Sequence, residues 1–209
     1  QSVNNAYYTR LNSINRAAVL STGGFYSQSE KLLQEIDTKI IPTQLQQYYY
    51  YTTTWLYNYW ESFCKDSEFK NYYHQKRCHF LKLAVEATDH NNVALHAYLS
   101  GELAFLENSL SRTVLHQYMK ALNNSNINVR VHASSAYGIA RYYREMGNMQ
   151  LYEKYIIEAA ISDMVCPLKE NLALQELSTY LYKKDTKYAD RAARYIYCSM
   201  EDAKFYNNR

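Results

Sequence analysis

The sequence predicts an all-α protein, a TPR-like α-α superhelix (solenoid) of about five antiparallel helix pairs, and three observations predict it. The first is internal repetition. Ala136, Ile139, Ala140 and Tyr143 precede the breaker Gly147-Asn148, and Tyr152, Tyr155, Ile156, Ala159 and Ala160 follow it. The plan returns as Ala173, Leu177, Ser178 and Leu181, the breaker Lys184-Asp185, then Ala192, Tyr195, Ile196, Ser199 and Met200. Lys154-Tyr155-Ile156 and Arg194-Tyr195-Ile196 anchor the two copies about 40 residues apart, within the period range of tetratricopeptide (TPR), HEAT and armadillo arrays. The second observation is sparse punctuation: five Gly and two Pro in 209 residues are too few for a sandwich or barrel of many short strands. The third is the recurrence of apolar residues at three- and four-residue steps. A single thin helical hairpin cannot bury its own apolar face, so such units need neighbours.

The elements follow in order. A first helix runs from about Val3 to Leu20 and stops at Ser21-Thr22-Gly23-Gly24, where paired glycines accept positive φ. A second begins near Phe25 and carries Leu32, Leu33, Ile36 and Ile40 inward. Pro42 suits the first turn of the third helix, because its missing N–H has no partner to lose there. That helix, Thr43 to Cys64, is the most aromatic stretch. Tyr48, Trp55, Tyr59 and Phe63 share one face, Tyr49, Leu56 and Trp60 an adjoining one, and Tyr50 and Tyr57 a third. A helix apolar all round is enclosed on several sides. After Lys65-Asp66-Ser67, Glu68 to Ala87 returns with Tyr72, Phe80, Leu83 and Ala84 inward. The loop Asp89-His90-Asn91-Asn92 leads to Val93–Glu107 and Leu110–Leu122, where Gly101, Phe105, Tyr118, Ala121 and Leu122 match the small-large alternation of paired TPR helices. Asn123-Asn124-Ser125-Asn126 is a breaker. The chain then reads as one TPR-like domain over 1–209, with pairs near 3–40, 42–88, 92–122, 128–165 and 168–206.

A net charge of +3 from 23 basic and 20 acidic side chains spread along the chain contains no basic block, which argues against nucleic acid as a direct partner of this segment. No run approaches the ~18 apolar residues of a membrane span, and Gln1 opens no signal sequence. Cys64, Cys78, Cys166 and Cys198 lie at irregular spacing in helix-like segments, read as buried thiols rather than a disulfide framework or zinc pattern. On their own they lean slightly toward a reducing compartment, though buried thiols also suit an anaerobe's periplasm.

Motifs for catalysis are missing from the sequence: no phosphate-cradling Gly-rich loop, no nucleophile elbow, no His-Glu-x-x-His. His74 and Cys78 are one helical turn apart, but two ligands do not make a zinc site, and no metal or cofactor is expected. The other histidines, His132 among them, are scattered. An enzyme is not expected.

The pattern for binding is richer, with 24 Tyr, six Phe and two Trp, more aromatic side chains than a core needs. Placing Gly101 and Ala140 at the small position of their repeats sends Tyr98 and Tyr137 to the concave side, with Glu102 in one repeat and Arg141 and Arg144 in the next. By looser registration Tyr57 and Glu61 join from the aromatic helix, and Gln175, Thr179 and Tyr182 from the last repeat. Such a groove suits a peptide, glycan or protein ligand, and its arginines suit a ligand carboxylate.

The C-terminal third carries a more specific signature. Ala159-Ala160-Ile161-Ser162-Asp163, Lys169-Glu170-Asn171-Leu172-Ala173-Leu174 with Leu177, Asp190-Arg191-Ala192, Tyr195-Ile196 and Ser199-Met200-Glu201-Asp202-Ala203-Lys204-Phe205-Tyr206-Asn207 resemble a Bacteroidetes family of membrane-anchored, TPR-containing transcriptional regulators. A looser likeness extends back to Gly23-Gly24-Phe25. The resemblance implies periplasmic TPR repeats followed by a membrane helix, a coiled coil and a helix-turn-helix domain outside this chain. Two departures bear on packing: Asp185 stands where the repeat usually has Gly, which would splay the last hairpin, and Tyr152 where it usually has a small Ala. The resulting expectation is a non-enzymatic, ligand- or protein-binding sensor or scaffold domain of such a regulator. The alternatives are a TPR-type glycan-binding surface protein of a starch-uptake-like system and a cytoplasmic peptide-binding adaptor.

Overall fold

The computed structural model describes residues 2–125, 128–165 and 172–207. Among them the fold is all-α: ten α-helices, packed in neighbouring pairs as in a TPR-like solenoid, and no strand. The chain divides into two compact units, Gln1–Asn92 and Val93–Arg209.

In the first unit α1 (Ser2–Thr22) pairs with α2 (Tyr26–Gln34), and α3 (Thr43–Phe63) with α4 (Ser67–Ala87). α1 ends where Gly24 takes φ 84°, a conformation that costs glycine nothing. Small residues let α1 and α2 approach closely. The buried hydroxyl of Ser29 donates to the Ala17 carbonyl at 2.8 Å and lies 2.8 Å from that of Ser21, which bonds the same carbonyl at 2.9 Å. α2 is shorter than its apolar spacing predicts. Asp37 accepts from the Lys39 amide at 3.0 Å and caps a 3₁₀ turn over Thr38–Ile40. The tighter turn shifts the helical phase, so Ile40 is exposed and Ile41 enters the core in its place. Pro42 stands one residue before the first turn of α3, as its N-cap. Ile14, Ala17, Leu33, Ile41, Leu45, Tyr49 and Leu56 form the core.

α3 turns Leu45, Tyr49, Thr52, Leu56 and Tyr57 inward and leaves Phe63, expected on a packed face, exposed. Two of its three buried threonines are satisfied within the helix: Thr53 donates to the Tyr49 carbonyl and Thr54 to that of Tyr50, each at 2.8 Å. Asp66 caps α4, accepting from the amides of Glu68 and Phe69 at 2.9 and 3.2 Å. The inward tyrosine of α4 is Tyr73 rather than Tyr72, because Tyr73 stacks on Trp60 with centroids 4.5 Å apart.

The second unit contains α5 (Val93–Glu107), α6 (Arg112–Asn123), α7 (Val129–Glu145), α8 (Met149–Val165), α9 (Leu172–Lys184) and α10 (Ala189–Asn207). Each helix packs on the next, and α5 also touches α7. Ser111 and Asn128 cap α6 and α7, and Gly147, at φ 71°, ends α7. The expected start of the last pair near residue 168 lies outside the described residues, as does Cys166. Cys198, read as buried, is exposed, while Cys64 and Cys78 are half-buried. Tyr152 fits where a small residue is usual: it is buried, and its ring meets that of Tyr180 edge-on at 5.1 Å. After α9, Asp185 accepts from the Lys187 amide at 3.0 Å and caps a second 3₁₀ turn. α9 and α10 are held together by Ser178, which donates to the Ala192 carbonyl at 2.7 Å, and by Gln175, which donates to the Ser199 hydroxyl at 3.0 Å.

Candidate functional site

The first helices of successive pairs in the second unit, α5, α7 and α9, are joined by a chain of polar side chains, and this chain contains four of the residues singled out for binding, Glu102, Tyr137, Arg141 and Arg144. It begins at Gly101 and Gly138. With no Cβ on either, the ring of Tyr118 from α6 lies against both backbones, fully buried. There its hydroxyl donates to Glu102 of α5 at 2.7 Å. Arg141 of α7 pairs with the same carboxylate and donates to the Tyr118 hydroxyl at 2.9 Å. The guanidinium also lies over the rings of Phe105 and Tyr137, 4.5 and 5.4 Å from their centroids. Burial works against the Arg141 charge, but Glu102, with the tyrosines behind it, more than offsets this, so its pKa stays above the usual arginine value.

The second knot of the chain is Glu176 on α9. It accepts from Tyr137 at 2.7 Å and from Tyr152 at 3.0 Å, and it pairs with Arg144. Burial, then the Glu176 charge and its hydrogen bond, push both phenols above their ordinary pKa. One step further along, Glu153 on α8 accepts from Tyr180 at 3.0 Å and pairs with Lys184. The Lys184 bond is the main reason the Glu153 carboxyl sits below its usual pKa.

The carboxylates that Arg141 and Arg144 hold are therefore the chain's own, Glu102 and Glu176, so neither side chain awaits a ligand carboxylate. Tyr98 and Glu102 are buried, Tyr137 and Arg141 half-buried. Of the residues expected in the groove, Arg144, Gln175, Thr179 and Tyr182 are exposed, the last with 67% of its surface. Glu176 and Tyr118 were missed as organising residues. The signal for Glu176 was its place beside Gln175 on the predicted groove face, and that for Tyr118 was the pairing of a large ring with Gly101.

In the first unit Tyr57 is buried and donates to Glu30 at 2.6 Å. Burial and then this bond raise its pKa. Glu61 receives His74 at 3.0 Å and Arg77 at 3.3 Å, and the other His74 nitrogen lies 3.6 Å from the Cys78 sulfur. Among the described residues no group of three or more His, Cys, Asp or Glu is arranged to hold a metal ion. Around Tyr57 the rings stack in near-parallel layers: Phe63 on Tyr26, Tyr26 on Trp60, Trp60 on Tyr73 and Tyr73 on Phe69. Phe63 and Phe69 close the two ends, and both are exposed.

One arrangement has the order of a nucleophile relay. The Ser125 hydroxyl lies 3.1 Å from His132 Nδ1, and His132 Nε2 lies 3.2 Å from Glu158. Ser125 is buried, however, and donates its proton to the Leu122 carbonyl at 2.7 Å. Its oxygen thus accepts from the imidazole, the reverse of the direction nucleophile activation needs. The trio ties the α6–α7 connection to α8. Among the described residues no helix is long and apolar enough to cross a membrane.

Comparison with known proteins gives one family. The sequence model of the family described as the SusR N-terminal TPR domain matches residues 1–209. No curated protein and no solved structure matches the chain.

Proposed function

The chain belongs to the SusR N-terminal TPR domain family, and from that premise we propose that it is the periplasmic sensor domain of a membrane-anchored transcriptional regulator, binding a peptide, glycan or protein and carrying no reaction. TPR-type domains are in general non-catalytic binding modules. The family match over 1–209 and the likeness of the C-terminal third to membrane-anchored regulators support the regulator reading. The observation that carries the binding reading is the division of labour on α7 and α9. Polar side chains between the helices bond one another and fix α7 and α9, while Arg144, Thr179 and Tyr182 on the same two helices are exposed. A rigid backbone presenting adaptable polar and aromatic side chains is the arrangement a recognition surface needs.

The test couples ligand to transcription in the full-length regulator. Peptide and glycan panels are screened for a shift in melting temperature of the domain, and each hit is followed with a reporter driven by the regulator's own target. Replacing Thr179 and Tyr182 together by Ala, both at exposed positions, should leave the fold intact and remove both the shift and the reporter response. A variant that responds like the parent would move the binding surface elsewhere; a regulator that responds without residues 1–209 would end the sensor reading.

A further inference from the structure

We propose that the open face of α10 is a self-association surface on which a second copy of this chain packs antiparallel, α10 against α10, about a two-fold axis at Tyr197. This does not rest on the sensor reading. Ala189, Ala193, Ile196 and Met200 follow one another at alternating four- and three-residue steps, the a/d spacing of a coiled-coil seam. The seam faces solvent, with Ile196 38% and Met200 52% exposed. In the preceding repeat the C-terminal half of this seam is covered. Whereas Met149, which matches Ala189, is 43% exposed, Ile156 and Ala160, which match Ile196 and Met200, are 0% and 1% exposed. There α9 lies on α8, Tyr180 against Tyr152 and Lys184 on Glu153.

The flanks of the seam select the partner. On one side Ala192 and Ser199 are already buried and bonded to α9. On the other, Asp190, Tyr197 and Lys204 stand seven residues apart, all exposed. Running antiparallel, this flank meets its own copy: Asp190 faces Lys204 of the partner subunit twice, and the two Tyr197 rings meet on the axis. A parallel pairing would instead set the open flank against the one that the partner has covered with its own α9. The pairing is isologous, so it closes at a dimer. Lys204 now bonds Glu201 at 2.7 Å within its own helix, a surface pair that is worth little and easily exchanged.

α8 carries another exposed apolar line, Ile157, Ile161 and Met164, and this serves as the control. The mass of the chain in solution is measured by sedimentation over a concentration series. The parent should dimerise; Met200→Asp should abolish the dimer, and Ile161→Asp should leave it unchanged. Asp190→Lys and Lys204→Asp should each raise the dissociation constant about tenfold or more, and the two together should bring it back to within about threefold of the parent. These two positions are exposed, and unchanged helical circular dichroism verifies the fold of each variant. A chain that stays monomeric at every concentration overturns the proposal, as does a double reversal no tighter than the singles, or a dimer lost with Ile161→Asp and kept with Met200→Asp.

Discussion

Tyr118 occupies the space that a side chain at Gly138 would need: a Cβ there would stand 2.6 Å from the Cε1 and Cζ atoms of the ring. The ring cannot easily yield, since it is fully buried and its hydroxyl is bonded on both sides. Gly138→Ala should therefore destabilise the second unit by roughly 1–3 kcal/mol, even though alanine favours a helix interior over glycine by about 1 kcal/mol. Chemical denaturation measures the loss. In a Tyr118→Leu background the same change should cost much less, because the ring that blocks the Cβ is gone.

Arg141, half-buried, and Glu102, buried, make a pair whose worth depends on both members. Arg141→Leu leaves the buried carboxylate without its cation and should cost about 3–5 kcal/mol. Adding Glu102→Leu removes the stranded charge, and the double variant should be more stable than Arg141→Leu alone. Urea unfolding of the four proteins in the cycle gives the coupling directly. A double variant less stable than the single would mean that Glu102 has other partners of comparable weight.

Alkaline solution should unfold the protein through its interior phenols. Burial first, and then Glu30 or Glu176, raises the pKa of Tyr57, Tyr137 and Tyr152 in the folded chain. A raised folded pKa adds stability that is complete below the unfolded value of about 10 and is lost as pH rises from there toward the folded values. Stability against urea should thus begin to fall near pH 10, with tyrosinate absorbance from these rings appearing together with the loss of helical circular dichroism. Tyr57→Phe should lessen the slope.

The aromatic layers of the first unit separate packing from exposure within one helix. Trp60 lies between Tyr26 and Tyr73, and Trp60→Ala should cost about 3–5 kcal/mol. Phe63, one turn on, ends the stack in solvent, and Phe63→Ala should fall within about 0.5 kcal/mol of the parent. Equal losses at the two positions would mean that Phe63 is covered in solution.

The pairing of helices was legible in the sequence because each break has a local cause: Gly24, Asp66, Ser111, Asn128 and Gly147 all act within a few residues of themselves. Misread faces had causes that periodicity does not carry, one local and one from a neighbouring helix. The carboxylate of Asp37 tightens the chain into a 3₁₀ turn and exchanges Ile40 for Ile41, and the choice between Tyr72 and Tyr73 is decided by Trp60 on another helix. The candidate site was legible as a set of helix positions and not as a set of bonds. Arg141 and Arg144 were placed on one face, yet their carboxylates, Glu102 and Glu176, come from helices more than 30 residues away in sequence. The spacing within a helix says where a side chain stands but is silent about which distant partner it meets.

Glu176 collects its three donors from both members of the pair before it, Tyr137 and Arg144 on α7 and Tyr152 on α8. Excising that pair would leave a half-buried anion with no cation, and inserting another between α8 and α9 would in addition strand the phenols that faced it. The pairs are therefore not interchangeable cassettes: deleting or duplicating one next to α9 is penalised at a single carboxylate.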